Sequence, residues 1–167
     1  MQFKTYAVLL TAGSILGFLL LPMLSHATDT GEYSVLIGFW TRHVDRSDNT
    51  NEKTGMIAFL YKDYMVSRFI NSYHDETFFV GKRFHTKKFD LGIFKDLGVQ
   101  GNLYTGLMYG YSDNLPNIGG LSVGALPTVG LVWKKTSAEL GYAPTPKGGV
   151  FMSLFRFTFK VHLKVYP

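Results

Sequence analysis

VFMSLFRFTFKV, residues Val150–Val161, is the stretch whose reading decides the fold. In an extended chain Phe151, Phe155, Phe157, Phe159 and Val161 fall on one face, while Arg156, Thr158 and Lys160 fall on the other. A period of two this clean makes a strand with one apolar side. Upstream, residues 98–111 repeat the pattern: Val99, Leu103, Leu107, Tyr109 and Tyr111 share a face opposite Gly98, Gln100, Asn102, Gly106 and Gly110. The first set is expected to face lipid and the second a lumen. Glycines on the inner face either leave an apolar cavity or relieve barrel curvature, and the pattern fits both.

Working outward, eight such runs occur from Tyr33 onward: 33–44, 55–62, 64–73, 77–86, 98–111, 121–133, 136–144 and 150–161. Clusters of Gly, Asn, Asp, Pro and Lys separate them, and helical periodicity is absent after the amino-terminal leader. Eight strands of these lengths predict an all-β chain, an eight-stranded antiparallel up-and-down transmembrane β-barrel. A soluble barrel of the lipocalin kind has the same period of two. Aromatic content separates the two readings: 16% of residues are aromatic, with Tyr33, Trp40, Tyr61, Tyr64, Tyr73, Tyr109, Tyr111 and Trp133 near run ends, as in interfacial girdles. Phe159 closes a row of outward aromatics as outer-membrane proteins do near their carboxy terminus, although residues 160–167 follow it here.

The amino terminus carries Lys4, then an apolar run from Tyr6 to Leu24, then Ser25, His26 and Ala27 before the polar Thr28. This is the layout of a cleavable signal peptide spanning residues 1–27, which leaves one barrel domain over residues 28–167. The chain is expected to reach the bacterial outer membrane after export, inserted by the barrel-assembly machinery as a monomer. It has no cysteine, which excludes a disulfide-stapled fold, thiol catalysis and thiolate metal ligation. His43, His74, His85 and His162 lack ligand spacing, so neither a metal nor an organic cofactor is expected. The formal charge of +5 is scattered among apparent turns, including Lys87, Lys88, Lys134 and Lys135, with no stripe for nucleic acid.

With both termini at the inner end, odd-numbered runs travel outward, and the polar residues sort by mouth. His43 ends the first run, Asn51 and Glu52 lead into the second, and Asn71 with Ser72 closes the third. The first and third strands stand about 10 Å apart, a gap that side chains and a loop can close. A His, a hydroxyl and a carboxylate or amide at one rim could activate a hydroxyl or water for attack on an ester. Ser72, His74 and Asp75 are too close in sequence to hold that geometry and read as solvated.

The segment FINSYHDETFFVGKRF (residues 69–84) resembles the part of the PagP family of lipid A palmitoyltransferases where an Asp-Ser-Trp triplet ends the third strand. FWTRHV (39–44) followed by NEKTGMIAFLYK (51–62) resembles the family's strand-ending His, loop and Asn-Glu pair. GALPTVGLVWKKTSAELGYAPT (124–145) is similar to its two proline-bearing strands, and GGVFMSLFRFTF (148–159) to its terminal strand. The resemblance implies transfer of an acyl chain from a phospholipid donor to lipid A, with His43, Asn71 and Ser72 in the catalytic places and Asn51 and Glu52 in support. It implies lateral lipid access between Pro127 and Pro144, because proline cannot donate a ladder hydrogen bond. Three departures accompany it. Asn71 stands where the family has an acid, the amphipathic helix before the barrel has no counterpart, and the loop from His43 to Asn51 is shorter. The expected function is therefore a lipid-modifying acyltransferase. The alternatives are a noncatalytic structural, adhesion or surface-modifying barrel, and a lipocalin-like lipid carrier.

Overall fold

The structure is a computed structural model of the 167-residue chain and describes residues 31–44, 50–111, 115–144 and 149–161. The expected leader, residues 1–27, and His162 lie outside the described residues. The chain forms two compact units, Glu32–Phe159 and a terminal unit of residues 1–31 and 160–167. Of the second, Gly31, Lys160 and Val161 are described, each in extended strand.

The described residues form nine strands and no helix: β1 (Gly31–His43), β2 (Met56–Tyr61), β3 (Tyr64–Ile70), β4 (Glu76–His85), β5 (Phe89–Asp90), β6 (Leu97–Tyr109), β7 (Leu121–Trp133), β8 (Thr136–Ala143) and β9 (Val150–Val161). Hydrogen bonding follows the order β4-β3-β2-β1-β9-β8-β7-β6, and a β4–β6 ladder from Phe78–Tyr109 to His85–Asn102 closes the ring. This is a closed eight-stranded antiparallel barrel in which every strand lies beside its neighbours in sequence. β5 stands outside the eight. It pairs Phe89 with Val99 and Asp90 with Gly98, covering the start of β6 where β4 has already ended. It falls in the gap between the expected runs 77–86 and 98–111, because two residues carry no period.

Strands β7 and β9 start and end at the expected residues, and most other ends differ by one or two. The third run is the exception, stopping at Ile70 instead of Tyr73. Asn71 turns the chain there, its Oδ1 accepting the Tyr73 N–H at 2.8 Å and the Asp75 N–H at 3.0 Å. A side-chain acceptor that captures N–H groups two and four residues on competes with the ladder and ends the strand.

Alternation sorts the side chains as expected. Phe59, Val80, Leu107, Val123, Leu131, Leu140 and Phe155 are exposed on the outer wall. Leu36, Met56, Ala58, Leu60, Met65, Phe69, Phe79, Tyr104 and Leu154 form one buried cluster inside it. Tyr111 departs from the expectation. Gly110 has a φ of +121°, which breaks the period of two, and Tyr111 packs inward against the cluster instead of facing out with Tyr109.

The lumen has two chemically distinct halves. Near the end where β1 and β3 finish, it is filled by Met56, Phe69, Phe79, Met108, Leu126, Met152 and Leu154. Inner-face glycines make room for these large neighbours. A Cβ on Gly124 would lie 2.7 Å from Met108 Sδ, and one on Gly38 would lie 3.0 Å from Leu154 Cδ2. Gly106 serves closure, because it faces Gly81 across the β4–β6 ladder and a Cβ there would collide with Val80 O. Toward the other end the filling is polar. Glu139, with its side chain fully buried, accepts hydrogen bonds from Asn102, Tyr104, Thr128, Ser137 and Arg156 at 2.8–3.2 Å.

Candidate functional site

The site is assembled at the mouth where β1 and β3 end. Along β1, Ser34, Leu36 and Gly38 are buried in strict alternation, then Phe39 and Trp40 are both exposed, and Thr41 is buried. This slip of one residue reverses the parity of the strand end and puts His43 on the lumen side with Thr41. Without it His43 would point outward. Residues 51–54 then run between the ends of β1 and β3 and bond to both. Thr41 N donates to Glu52 O at 3.1 Å, Asn51 N to Ser72 O at 3.0 Å, and Ile70 N to Thr54 O at 2.9 Å. The segment leading into β2 thereby bridges the gap between the two strands.

The outcome is a direct hydrogen bond, His43 Nε2 to Ser72 Oγ at 2.8 Å. His43 Nδ1 is buried and has no hydrogen-bond partner among the described residues. Glu52 is half-buried, and its carboxylate acts electrostatically on the His43 ring. Thr41 Oγ1 and Thr54 Oγ1 are buried in the same region without a protein partner.

On its other side Ser72 approaches the Tyr111 hydroxyl. Burial pushes the Tyr111 hydroxyl up to about 12, the nearby Tyr73 adds to the rise, and the polar hydrogens of Ser72 oppose it. Tyr111 therefore stays protonated throughout the neutral range. Its ring meets Tyr73 edge-on at 6.3 Å.

Asn71 is fully buried, and none of its hydrogen bonds goes to His43. Its Nδ2 donates to Gly110 O at 2.9 Å, tying the end of β3 to the turn after β6, while Oδ1 holds Tyr73 N and Asp75 N. Its backbone carbonyl accepts from Asn51 Nδ2 at 3.1 Å and His74 N at 3.2 Å. A carboxylate at this position could not donate to Gly110 O. Asn71 and Asn51 thus hold the shape of the mouth, and Ser72 and His43 meet within it. His74 and Asp75 are exposed in the turn, as expected of solvated residues.

Pro127 marks the end of a ladder. β7 pairs with β6 along its whole length, Leu121–Trp133, yet its pairing with β8 stops at Thr128–Gly141. Leu121 to Pro127 therefore has no β8 ladder, on the half of the wall nearest the His43 mouth. Pro144 directly follows β8 and is exposed. A groove of about 440 Å³ also exists, but Phe39, Leu131, Ala138 and Phe155 line it, which puts it on the outer wall. No group of three or more His, Asp or Glu residues suited to a metal occurs among the described residues.

A scan against models of known protein families and a search of curated proteins found no match to this chain. Sequence reasoning missed Tyr111, whose inward turn depends on Gly110, and the Glu139 cluster. The only local signal for the latter was a carboxylate in a strand beside an inward Arg156.

Proposed function

We propose that the chain is an outer-membrane barrel that transfers an acyl chain from a phospholipid to lipid A or another lipid acceptor. One observation carries the reading: His43 Nε2 lies 2.8 Å from Ser72 Oγ at the mouth of the apolar half of the lumen. An imidazole protonated at Nδ1 offers its Nε2 lone pair to a hydroxyl. It takes the proton as that oxygen, of Ser72 or of an acceptor aligned by Ser72, adds to the ester carbonyl. The same proton passes to the departing lysophospholipid oxygen; where Ser72 is the nucleophile, the acceptor hydroxyl then gives its proton to His43, attacks the acyl-serine ester, and Ser72 leaves with that proton. Tyr111 stays protonated beside Ser72.

Three features support the membrane setting and substrate class. The outer wall is apolar around the ring, with Tyr64, Tyr109 and Trp133 exposed toward strand ends. The missing β7–β8 ladder above Thr128 offers a lateral way in for an acyl chain. All four methionines after the leader stretch, Met56, Met65, Met108 and Met152, belong to or pack on the lumen cluster, and such unbranched, rotatable chains re-pack around a guest. The family resemblance points the same way.

The test expresses the protein in an outer membrane of defined lipid A and weighs lipid A by mass spectrometry. An added acyl mass is expected with the wild type, falling by roughly 10²–10⁴-fold in rate for His43→Ala and strongly for Ser72→Ala. An unchanged mass with folded wild-type protein ends the catalytic reading. The second reading, a noncatalytic barrel, is favoured by Asn71, whose amide is engaged with backbone where an orienting acid would be wanted.

A further inference from the structure

We propose that the mouth opposite His43 is a docking ring for anionic phospholipid headgroups, an inference that rests on the membrane placement above but not on catalysis. The links at this mouth carry Lys62, Lys87, Lys88, Lys95, Lys134 and Lys135. Their acids are Asp63 and Asp96, with Asp90 in β5 and Glu32 at the start of β1 beside them. Asp63 is held by the buried Arg83 at 2.5 Å, and Asp90 by Lys88 at 2.7 Å. At the His43 mouth the described link residues carry one lysine, Lys53, against Glu52 and Asp75. Among the described link residues, the two ends of the barrel therefore carry different charge.

Backbone conformation gives an independent reason. Lys62 and Lys134 open two-residue turns, Tyr61 pairing with Tyr64 and Trp133 with Thr136, at φ values of 45° and 53°. Glycine or asparagine relieves strain at such positions, yet each holds a lysine. Side-chain placement gives a third. Lys62 Nζ lies 5.5 Å from the Tyr61 ring centre, Lys82 Nζ 5.1 Å from that of Tyr64, and Lys134 Nζ 4.9 Å from that of Trp133. Each ammonium is thus set at the level of an aromatic, with its stem along apolar surface, which is where headgroup phosphates lie. A lysine near such a surface favours an anionic over a neutral headgroup roughly fivefold.

The two tryptophans make the test direct, because Trp133 lies at this mouth and Trp40 toward the other. The full chain is reconstituted in phosphatidylcholine vesicles holding equal mole fractions of either brominated-acyl phosphatidylglycerol or brominated-acyl phosphatidylcholine. In Trp40→Phe protein, quenching of Trp133 is expected to be about twofold or more stronger with the anionic lipid, a conservative share of that preference. In Trp133→Phe protein, Trp40 is expected to show no headgroup preference. Adding Lys62→Gln, Lys134→Gln and Lys135→Gln to Trp40→Phe should bring the ratio for Trp133 to one. Equal quenching of Trp133 by both lipids, or a preference that survives loss of the lysines, overturns the docking ring while leaving the membrane placement standing. Absence of quenching at both tryptophans overturns both.

Discussion

The two halves of the lumen are built on opposite principles. Beneath His43 and Ser72 the interior is Met56, Phe69, Phe79, Met108, Met152 and Leu154, held by contacts that have no direction and can be exchanged for others. Toward the far mouth Glu139 and Arg156 are buried together at 3.0 Å, with hydroxyl and amide donors on the remaining carboxylate positions. Such a network tolerates no vacancy, because each member left alone is a buried charge or an unmet donor. One half is thus suited to re-pack around a guest, and the other holds the strands in register.

The largest effect should come from breaking the polar half. Arg156→Met strands the Glu139 carboxylate and is expected to cost about 3–5 kcal/mol in urea unfolding of the reconstituted barrel. A loss under about 1 kcal/mol, the worth of an ordinary hydrogen bond, would erase the contrast. Next is Asn71→Asp at the mouth, which removes the donor to Gly110 O and sets a charge among backbone carbonyls. About 1–3 kcal/mol of stability should be lost, with no rise in acyl transfer. A gain in lipid A acylation would instead return position 71 to the role of orienting acid. In the apolar half Met108→Leu should cost under about 1.5 kcal/mol, since volume is nearly kept. A larger loss would show that the methionine is fixed in place.

The smallest effect at neutral pH is expected from Tyr111→Phe, about 1 kcal/mol for loss of one buried hydroxyl. Its signature lies at high pH. The folded-state pKa of Tyr111 is raised to about 12 from 10, so the folded form keeps a proton that the unfolded chain releases. Stability from this group is complete below pH 10 and is lost as pH rises toward 12. Unfolding curves across that window should fall more steeply for the wild type than for Tyr111→Phe. Parallel curves would mean that Tyr111 titrates as an ordinary tyrosine.

Much of the wall was legible because it obeys a local rule. Side-chain alternation is a property of each strand alone, so β7 and β9 could be bounded from residues 121–133 and 150–161, and Leu107 and Phe155 could be assigned outward, before any pairing was known. The candidate site was legible only in part. That His43 and Ser72 share a mouth follows from strand order and direction. That their side chains meet depends on the slip at Phe39 and Trp40, which no turn residue announces.

The amino-acid sequence by itself determined that the chain makes strands, how many long ones, which faces are apolar and which mouth collects the candidate residues. Tertiary structure alone decided that Asn71 bonds Gly110, that Tyr111 turns inward onto Ser72, and that Glu139 finds Arg156. The division has a physical cause. Periodicity is written in neighbours two residues apart, whereas these partners are 17 to 39 residues apart and meet only once the register of every intervening strand is set by closure of the ring.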